Sequence, residues 1–357
     1  MKRILIVSTE ANSGKSVLAL SIGRWLETQK IPFAYMKPIS YEVTYTSGTP
    51  LDRDAMAIRS LLNLEDDLAD IAPVPLEGPF LREAIESGDR GFRKRITESF
   101  RKLTADREVA LIEGRHYLGL GLGAGLSDLD LSELLDADIV LLTRFDSVEA
   151  VDRILCAVRL LLPESNLLGV VLKEVALNAQ LEEVNEVFVP FLADRGAEVL
   201  GILPYDVRLR SVRVQEIATR LSATVLTRVP LDHSISHFVI GASGPETASR
   251  QFRRTPELGV ITSGDRPDLH EAALRVPGLR LLVLTENRRP PQSTIDEANQ
   301  RSVPVLLAGQ TTLAAASLCQ SLLDRTWIKP GEILEYATEL FLSNVDIERL
   351  IEKVVDR

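Results

Sequence analysis

Along the first half of the chain, apolar and polar positions alternate between two periods. Arg3 to Val7 is a short β-rich run, Ser8 to Gly14 a loop of small residues, and Lys15 to Gln29 a stretch whose apolar positions recur at helical spacing. The order is strand, loop, helix. Further β-rich runs follow at Pro32 to Met36, Val109 to Ile112, Ile139 to Leu142, Leu168 to Leu172 and Val199 to Leu203, with helical patterns between most of them. Such alternation predicts an α/β fold, a mostly parallel sheet with helices on both faces.

The second half repeats that grammar in a smaller α/β domain. Phe238 to Ile240, Leu258 to Ile261, Leu279 to Leu284 and Val303 to Leu307 read as strands, separated by helices near Pro245, Pro267, Gln292 and Thr311. Leu203-Pro204-Tyr205-Asp206 closes the last strand of the first half and an Arg-rich stretch follows, so a boundary is expected between Tyr205 and Val212. The predicted domains are 1–208, 209–324 and a helical tail at 325–357, with Lys329-Pro330-Gly331 as a breaker and an amphipathic run from Val345 to Val355.

Length and composition agree with this division. At about 150 residues per domain, 357 residues suggest two domains, and 45% hydrophobic residues with only 5% aromatics mean that aliphatic side chains build both cores. The net charge of −10 leaves no concentrated basic face for a polyanion, so nucleic acid is not an expected partner. Cys156 and Cys319 each lie in an apolar helical stretch, Ile154 to Leu162 and Ala314 to Leu323, and read as buried free thiols. Neither sits on a strand-to-helix elbow. The start Met1 to Val7 is too short for a signal-peptide core and no apolar run reaches the length of a membrane span, which predicts a cytoplasmic protein without a membrane partner.

The loop after the first strand carries the clearest chemistry. Thr9-Glu10-Ala11-Asn12-Ser13-Gly14-Lys15-Ser16 ends in Gly-Lys-Ser, follows a strand and opens a helix. In a phosphate-binding P-loop a glycine such as Gly14 lets the backbone approach the anion, and the first free N–H groups of the helix, here around Asn12, Ser13 and Val17, point at it. Lys15 brings a positive charge and the Ser16 hydroxyl can ligate Mg²⁺. Three more residues stand at strand ends or a helix start on the same edge of the predicted sheet. Glu113 ends the third run, where a carboxylate is costly unless it faces a cation or solvent. Asp54 precedes Ala55 to Leu62 and reads equally as helix cap and as metal ligand. Lys37 follows the second strand. Oxygen ligands from Ser16, Asp54 and Glu113 would suit a hard cation such as Mg²⁺.

These motifs resemble those of the dethiobiotin synthetases, which begin their loop with threonine as Thr9 does here. Met36-Lys37-Pro38-Ile39 resembles that family's Tyr-Lys-Pro-Val element, Arg53-Asp54-Ala55 its Ser-Asp-Ala segment, Leu111-Ile112-Glu113-Gly114 its strand ending in Glu-Gly, and Gly201-Ile202-Leu203-Pro204-Tyr205 its Gly-x-Ile-Pro-Tyr turn. The resemblance implies a P-loop NTPase-like fold, a Mg-ATP site with Pro204 at the base, Lys15 and Lys37 as catalytic residues, and a homodimer. Departures mark where the substrate side differs. Leu172-Lys173-Glu174-Val175 stands where that family reads adenine with an asparagine, leaving base preference open, and Arg115-His116-Tyr117 replaces Ala-Gly-Gly.

From Gly119 to Leu134 the chain is more similar to the dethiobiotin-synthetase-like N-terminal region of long phosphotransacetylases, and Val260 to Asp268, Leu281 to Thr285 and Val303 to Leu307 resemble the DRTGG domain that follows it there. The acyltransferase domain of those enzymes is not in this sequence, so the resemblance implies no acetyl transfer. It implies a Mg-nucleotide-binding regulator of metabolism whose DRTGG-like half pairs with another copy or with a small-molecule effector or metabolic enzyme. The alternative is an ATP-dependent ligase or carboxylase of the dethiobiotin synthetase or cobyrinic acid diamide synthase type, working through an acyl phosphate. Slow nucleotide hydrolysis is compatible with both. Gly264-Asp265-Arg266 reads as a capped turn rather than an anion site, because Asp265 and Asp268 would repel phosphate, and His233 with His237 lack a third metal ligand.

Overall fold

A computed structural model of the chain describes residues 1–40, 43–46, 49–76, 91–161, 165–176, 179–323 and 331–356. They form two compact units, Met1–Tyr205 with Trp327–Arg357, and Asp206–Thr326.

The first unit is built on six strands: β1 (Lys2–Ser8), β2 (Phe33–Met36), β3 (Val109–Glu113), β4 (Asp138–Arg144), β5 (Leu167–Val175) and β6 (Val199–Pro204). They lie in the order β6-β5-β4-β1-β3-β2 with every neighbouring pair parallel. Consecutive strand side chains point to opposite faces, yet the last five residues of β1, all of β3 and six of the seven in β4 are buried. The sheet is therefore covered on both faces, as its runs of aliphatic residues require. From β1 the chain turns first to one side and later to the other. The crevice at the carboxyl end of β1 thus lies where the strand order reverses, the usual place for a ligand in such sheets.

Helix Lys15–Gln29 leaves β1 through Gly14, whose φ of 92° is open to glycine at little cost. It buries Leu18, Ile22 and Leu26 and stops at Lys30, whose left-handed backbone sends its N–H back to Glu27 and Leu26. A hairpin that the sequence pattern does not announce, Val43–Thr46 with Thr49–Asp52, delivers Asp52 to the start of helix Arg53–Leu61.

The second unit has a five-stranded sheet of Thr224–Val225, Val305–Leu307, Leu279–Thr285, Leu258–Ser263 and His237–Ile240 in that spatial order, parallel except at the first pair. Alternation along these strands fills two cores. Val260, Leu282, Leu284 and Val305 pack with Phe252 and Leu269, while Ile261, Leu281, Val283 and Leu306 pack with Ile217 and Cys319. The four expected helices are present as Pro245–Arg253, Pro267–Leu274, Gln292–Gln300 and Thr312–Leu323.

Two expectations are corrected here. Cys319 is buried but Cys156 is exposed, because in helix Ala150–Leu161 the inward stripe is Val151, Ile154, Ala157, Val158 and Leu161 and Cys156 falls outside it. The C-terminal segment, expected as an appended helical tail, is helical but packs back into the first unit. Its helices Glu332–Asn344 and Ile347–Lys353 bury Leu334, Ala337, Phe341, Ile347, Leu350 and Ile351 within the first unit, and Lys353 pairs with Glu198. Arg325, Lys329 and Pro330 lie outside the described residues.

Candidate functional site

At the carboxyl ends of β1 and β3 the sequence-selected residues converge. The Ser16 hydroxyl, in the first turn of its helix, donates to Glu113 Oε1 at 2.7 Å, and the Tyr35 hydroxyl donates to Glu113 Oε2 at 2.7 Å. Lys37 Nζ stands 2.9 Å from Asp54 Oδ2, 3.1 Å from Asp52 Oδ1 and 3.8 Å from Glu113 Oε1. Register explains the meeting. Met36 and Ile112 are partners in adjacent parallel strands, so Lys37 and Glu113 leave the same edge side by side.

Asp54 does not cap its helix. Asp52 does, accepting from Ala55 N at 2.8 Å, and this leaves the Asp54 carboxylate in the first turn free to meet Lys37. Burial disfavours the charge on Lys37, but Glu113, Asp54 and Asp52 outweigh it and hold its pKa above the ordinary lysine value. Glu113 is raised, since burial and the Asp54 charge exceed the help from Lys37, Ser16 and Tyr35.

Lys15 is buried rather than mobile in solvent. Its Nζ reaches Ser8 Oγ at 2.9 Å, His116 O at 3.2 Å and Ser13 Oγ at 3.3 Å, and burial lowers its pKa against the opposing pull of Glu113 and Asp128. The turn that presents His116 O is itself held from behind. Asp128 Oδ1 accepts from Arg115 N at 2.7 Å, the Arg115 guanidinium donates to Leu126 O at 2.6 Å, and Leu118 N bonds Ser8 O at 2.9 Å. A Cβ on Gly114 would stand 2.8 Å from Ile6 O and 2.9 Å from Asp128 Oδ1, so only glycine passes there. Burial raises Asp128 to about 7, lowers Arg115 to about 10, and lowers His116, which the nearby lysines also oppose charging.

Thr9 and Glu10 face β4 and β5. Thr9 Oγ1 is 2.7 Å from Thr143 Oγ1 and donates to Glu10, Asn12 has a φ of 53°, and the Val17 side chain is buried, leaving its backbone as the group to offer a ligand. Lys173 neither faces solvent nor stands open: its Nζ lies 3.1 Å from Glu174 Oε1 and 3.7 Å from Glu10 Oε1, and Arg144 adds 3.1 Å to Glu174. Pro204 ends β6 beside a groove of about 570 Å³ lined also by Ile202, Leu181, Asn344 and Val345.

Chemically, this edge offers a helix N-terminus and a buried lysine for an anion, and oxygens of Ser16, Asp54 and Glu113 for a hard cation. Among the described residues no three His, Cys, Asp or Glu side chains are gathered into a metal cage. Mg²⁺ needs none, since it is held by one or two carboxylates together with substrate phosphates and water. Sequence reasoning missed Ser8, Tyr35, Asp52 and Asp128. Tyr35 reads as core in a strand, whereas Asp52 and Asp54 flanking one residue at a helix start were a usable signal. In the second unit Arg266 binds Asp268 at 2.8 Å and Arg288 binds Asp265, consistent with a structural turn.

Comparison with known proteins follows this division. A family model described as AAA domain matches residues 2–236, and one described as DRTGG domain matches residues 216–322. The chain is 25% identical to a phosphate acetyltransferase of Synechocystis sp. over 98% of its own length and 51% of that protein, so it spans about half the length of this curated relative. It is also 25% identical to the ATP-dependent dethiobiotin synthetase BioD of Methanococcus vannielii, over 40% of this chain and 64% of that one. The septum site-determining protein MinD complexed with Mg-ADP from Pyrococcus horikoshii OT3 is a structural neighbour at 15% identity and a TM-score of 0.37, covering 58% of this chain and 83% of that chain.

Proposed function

The chain belongs to the AAA domain family, with a DRTGG domain after it as in the N-terminal region of phosphate acetyltransferases, and we propose that it is a Mg-nucleotide-binding regulatory protein of metabolism. The observation that carries this reading is the convergence of Ser16, Lys37, Asp54 and Glu113 beside a glycine loop at the point where the strand order reverses. Lys15 and the loop backbone at Thr9, Asn12, Ser13, Gly14 and Val17 take the phosphates. Ser16, Asp54 and Glu113 hold Mg²⁺, which neutralises phosphate charge when bound. Pro204 and its groove receive the base. ATP is the favoured nucleotide, but Lys173 is engaged by Glu10 and Glu174, so discrimination among bases is weak.

Regulation is favoured over turnover because the residues on the side facing a second substrate differ from those of the ligases, and Arg115 among them is engaged in bonds to Leu126 and Asp128. In the DRTGG half the charges at the Gly264 turn are engaged with one another in exposed Asp–Arg pairs. A small-molecule effector or a metabolic enzyme is the partner of that half. No helix among the described residues is long and apolar enough to cross a membrane, and a cytoplasmic place suits a nucleotide-dependent regulator.

A second reading is kept by one observation. Lys37, drawn in by three carboxylates, stands where a ligase would need a cation to hold an attacking carboxylate. Phosphate release from Mg-ATP, measured alone and with a panel of small carboxylic acids and amines, separates the two. A slow rate indifferent to every addition supports regulation. Strong stimulation by one of them would replace it with the acyl-phosphate ligase.

A further inference from the structure

Helix Glu332–Asn344 comes from the far end of the sequence and lies against the helix that the phosphate loop opens. Its buried residues Leu334, Ala337, Thr338 and Phe341 follow the i, i+3, i+4, i+7 spacing of one face. Three contacts fix the pairing. Arg24 meets Glu335 with two bonds of 2.5 and 2.8 Å, Ser21 Oγ approaches Thr338 O at 3.5 Å, and a Cβ built on Gly14 would stand 3.6 Å from Phe341 Cζ. As the number rises in one helix it falls in the other, so the two run antiparallel and the Phe341 ring arrives at the loop glycine.

Beyond Phe341 the segment is anchored again. Val345 makes an antiparallel bridge to Gly201 in β6, and Asp346 N donates to Leu200 O at 2.8 Å. Phe341, itself 5% exposed, is thus held between two fixed points at the one place where the loop has left-handed backbone and no side chain of its own to pack.

We propose that Phe341 is a positioning residue of the phosphate loop, acting through Gly14, and that helix Glu332–Asn344 is part of the nucleotide site. The proposal rests on the nucleotide-binding reading above. A loop that must direct several N–H groups at one anion loses affinity when its glycine can shift, because the ligand must then order it on binding. Linkage is reciprocal: if the docked helix favours bound nucleotide, bound nucleotide favours the docked helix.

The test uses the full chain and Mg-ATP as the probe. Phe341→Ala should weaken Mg-ATP binding by roughly tenfold, a usual size for coupling between groups that do not touch the same ligand, and Phe341→Leu should recover most of it. Lys353→Ala, which removes a bond to Glu198 beside the amino end of β6, should lower unfolding stability while leaving affinity at the wild-type value. In the wild type, Mg-ATP should slow amide hydrogen exchange across Glu332–Asn344. Unchanged affinity in Phe341→Ala, or an equal loss in Lys353→Ala, overturns the proposal. A wild-type chain that binds no Mg-ATP overturns instead the nucleotide reading beneath it.

Discussion

Lys15 gives three hydrogen bonds, to Ser8, Ser13 and His116, while paying a desolvation penalty that lowers its pKa, so two opposed changes follow its removal. Lys15→Ala should leave stability within about 1 kcal/mol of wild type, since relief of the buried charge offsets the three bonds lost. Mg-ATP affinity should fall by at least about a hundredfold, near 2.7 kcal/mol. Calorimetric titration beside a denaturant melt checks both, and retained affinity would end the P-loop assignment. Asp128 carries a pH dependence. Burial, opposed by the Arg115 N–H and by Lys15, raises its carboxyl from 3.8 to about 7 in the folded chain, so folding takes up a proton between those values. The stability tied to it is complete below the lower value and is lost as pH rises through the upper one. Asp128→Asn mimics the neutral form and keeps an oxygen for Arg115 N. Its melting temperature should therefore change less than that of the wild type between pH 5 and pH 8, by an amount worth on the order of a few kcal/mol. Parallel slopes would show that the carboxyl is already ionised in the folded chain.

Elements are tied together at points where a side chain will not fit. Gly201 in β6 is one, since a Cβ there would stand 2.5 Å from Asn344 O and 2.9 Å from Val345 Cα, atoms of backbone that cannot rotate away. Gly201→Ala should push the C-terminal segment off the sheet edge and cost about 1–3 kcal/mol in a denaturant titration. An unchanged midpoint would mean that the segment is not docked on β6. The same edge explains why an amphipathic run at Val345 to Val355 was legible as helix but not as part of the first unit. Amphipathicity says that a face is buried, not against what.

For the whole molecule the expectation is a homodimer, carried by resemblance to dethiobiotin synthetases and DRTGG domains and by the closed symmetry most soluble assemblies adopt. Sedimentation at micromolar concentration should give twice the 39.4 kDa chain mass. A profile of monomer alone would remove it. The shares of the two halves can be read in the same experiment by comparing Mg-ATP with buffer, because an interface through the P-loop half would strengthen with nucleotide.

Continuous apolar runs separated by stretches of helical spacing determined the parallel α/β layering of both halves, because strands buried on both faces must be continuously apolar and their crossovers must be helices. Gly14, Lys15 and Ser16 between strand and helix determined where an anion site belongs, since the requirement is local and falls on adjacent residues. Glu113 and Lys37 were legible as strand-end charges that need an explanation. Only the tertiary structure decided that Asp52, not Asp54, caps its helix, that Lys173 is spent on Glu10 and Glu174, and that Cys156 faces outward. Each depends on which neighbours the folded chain brings within reach. It alone decided that Phe341, more than three hundred residues from Gly14 in the chain, belongs to the first unit's edge, because no periodicity within a segment records the partner its apolar face will meet.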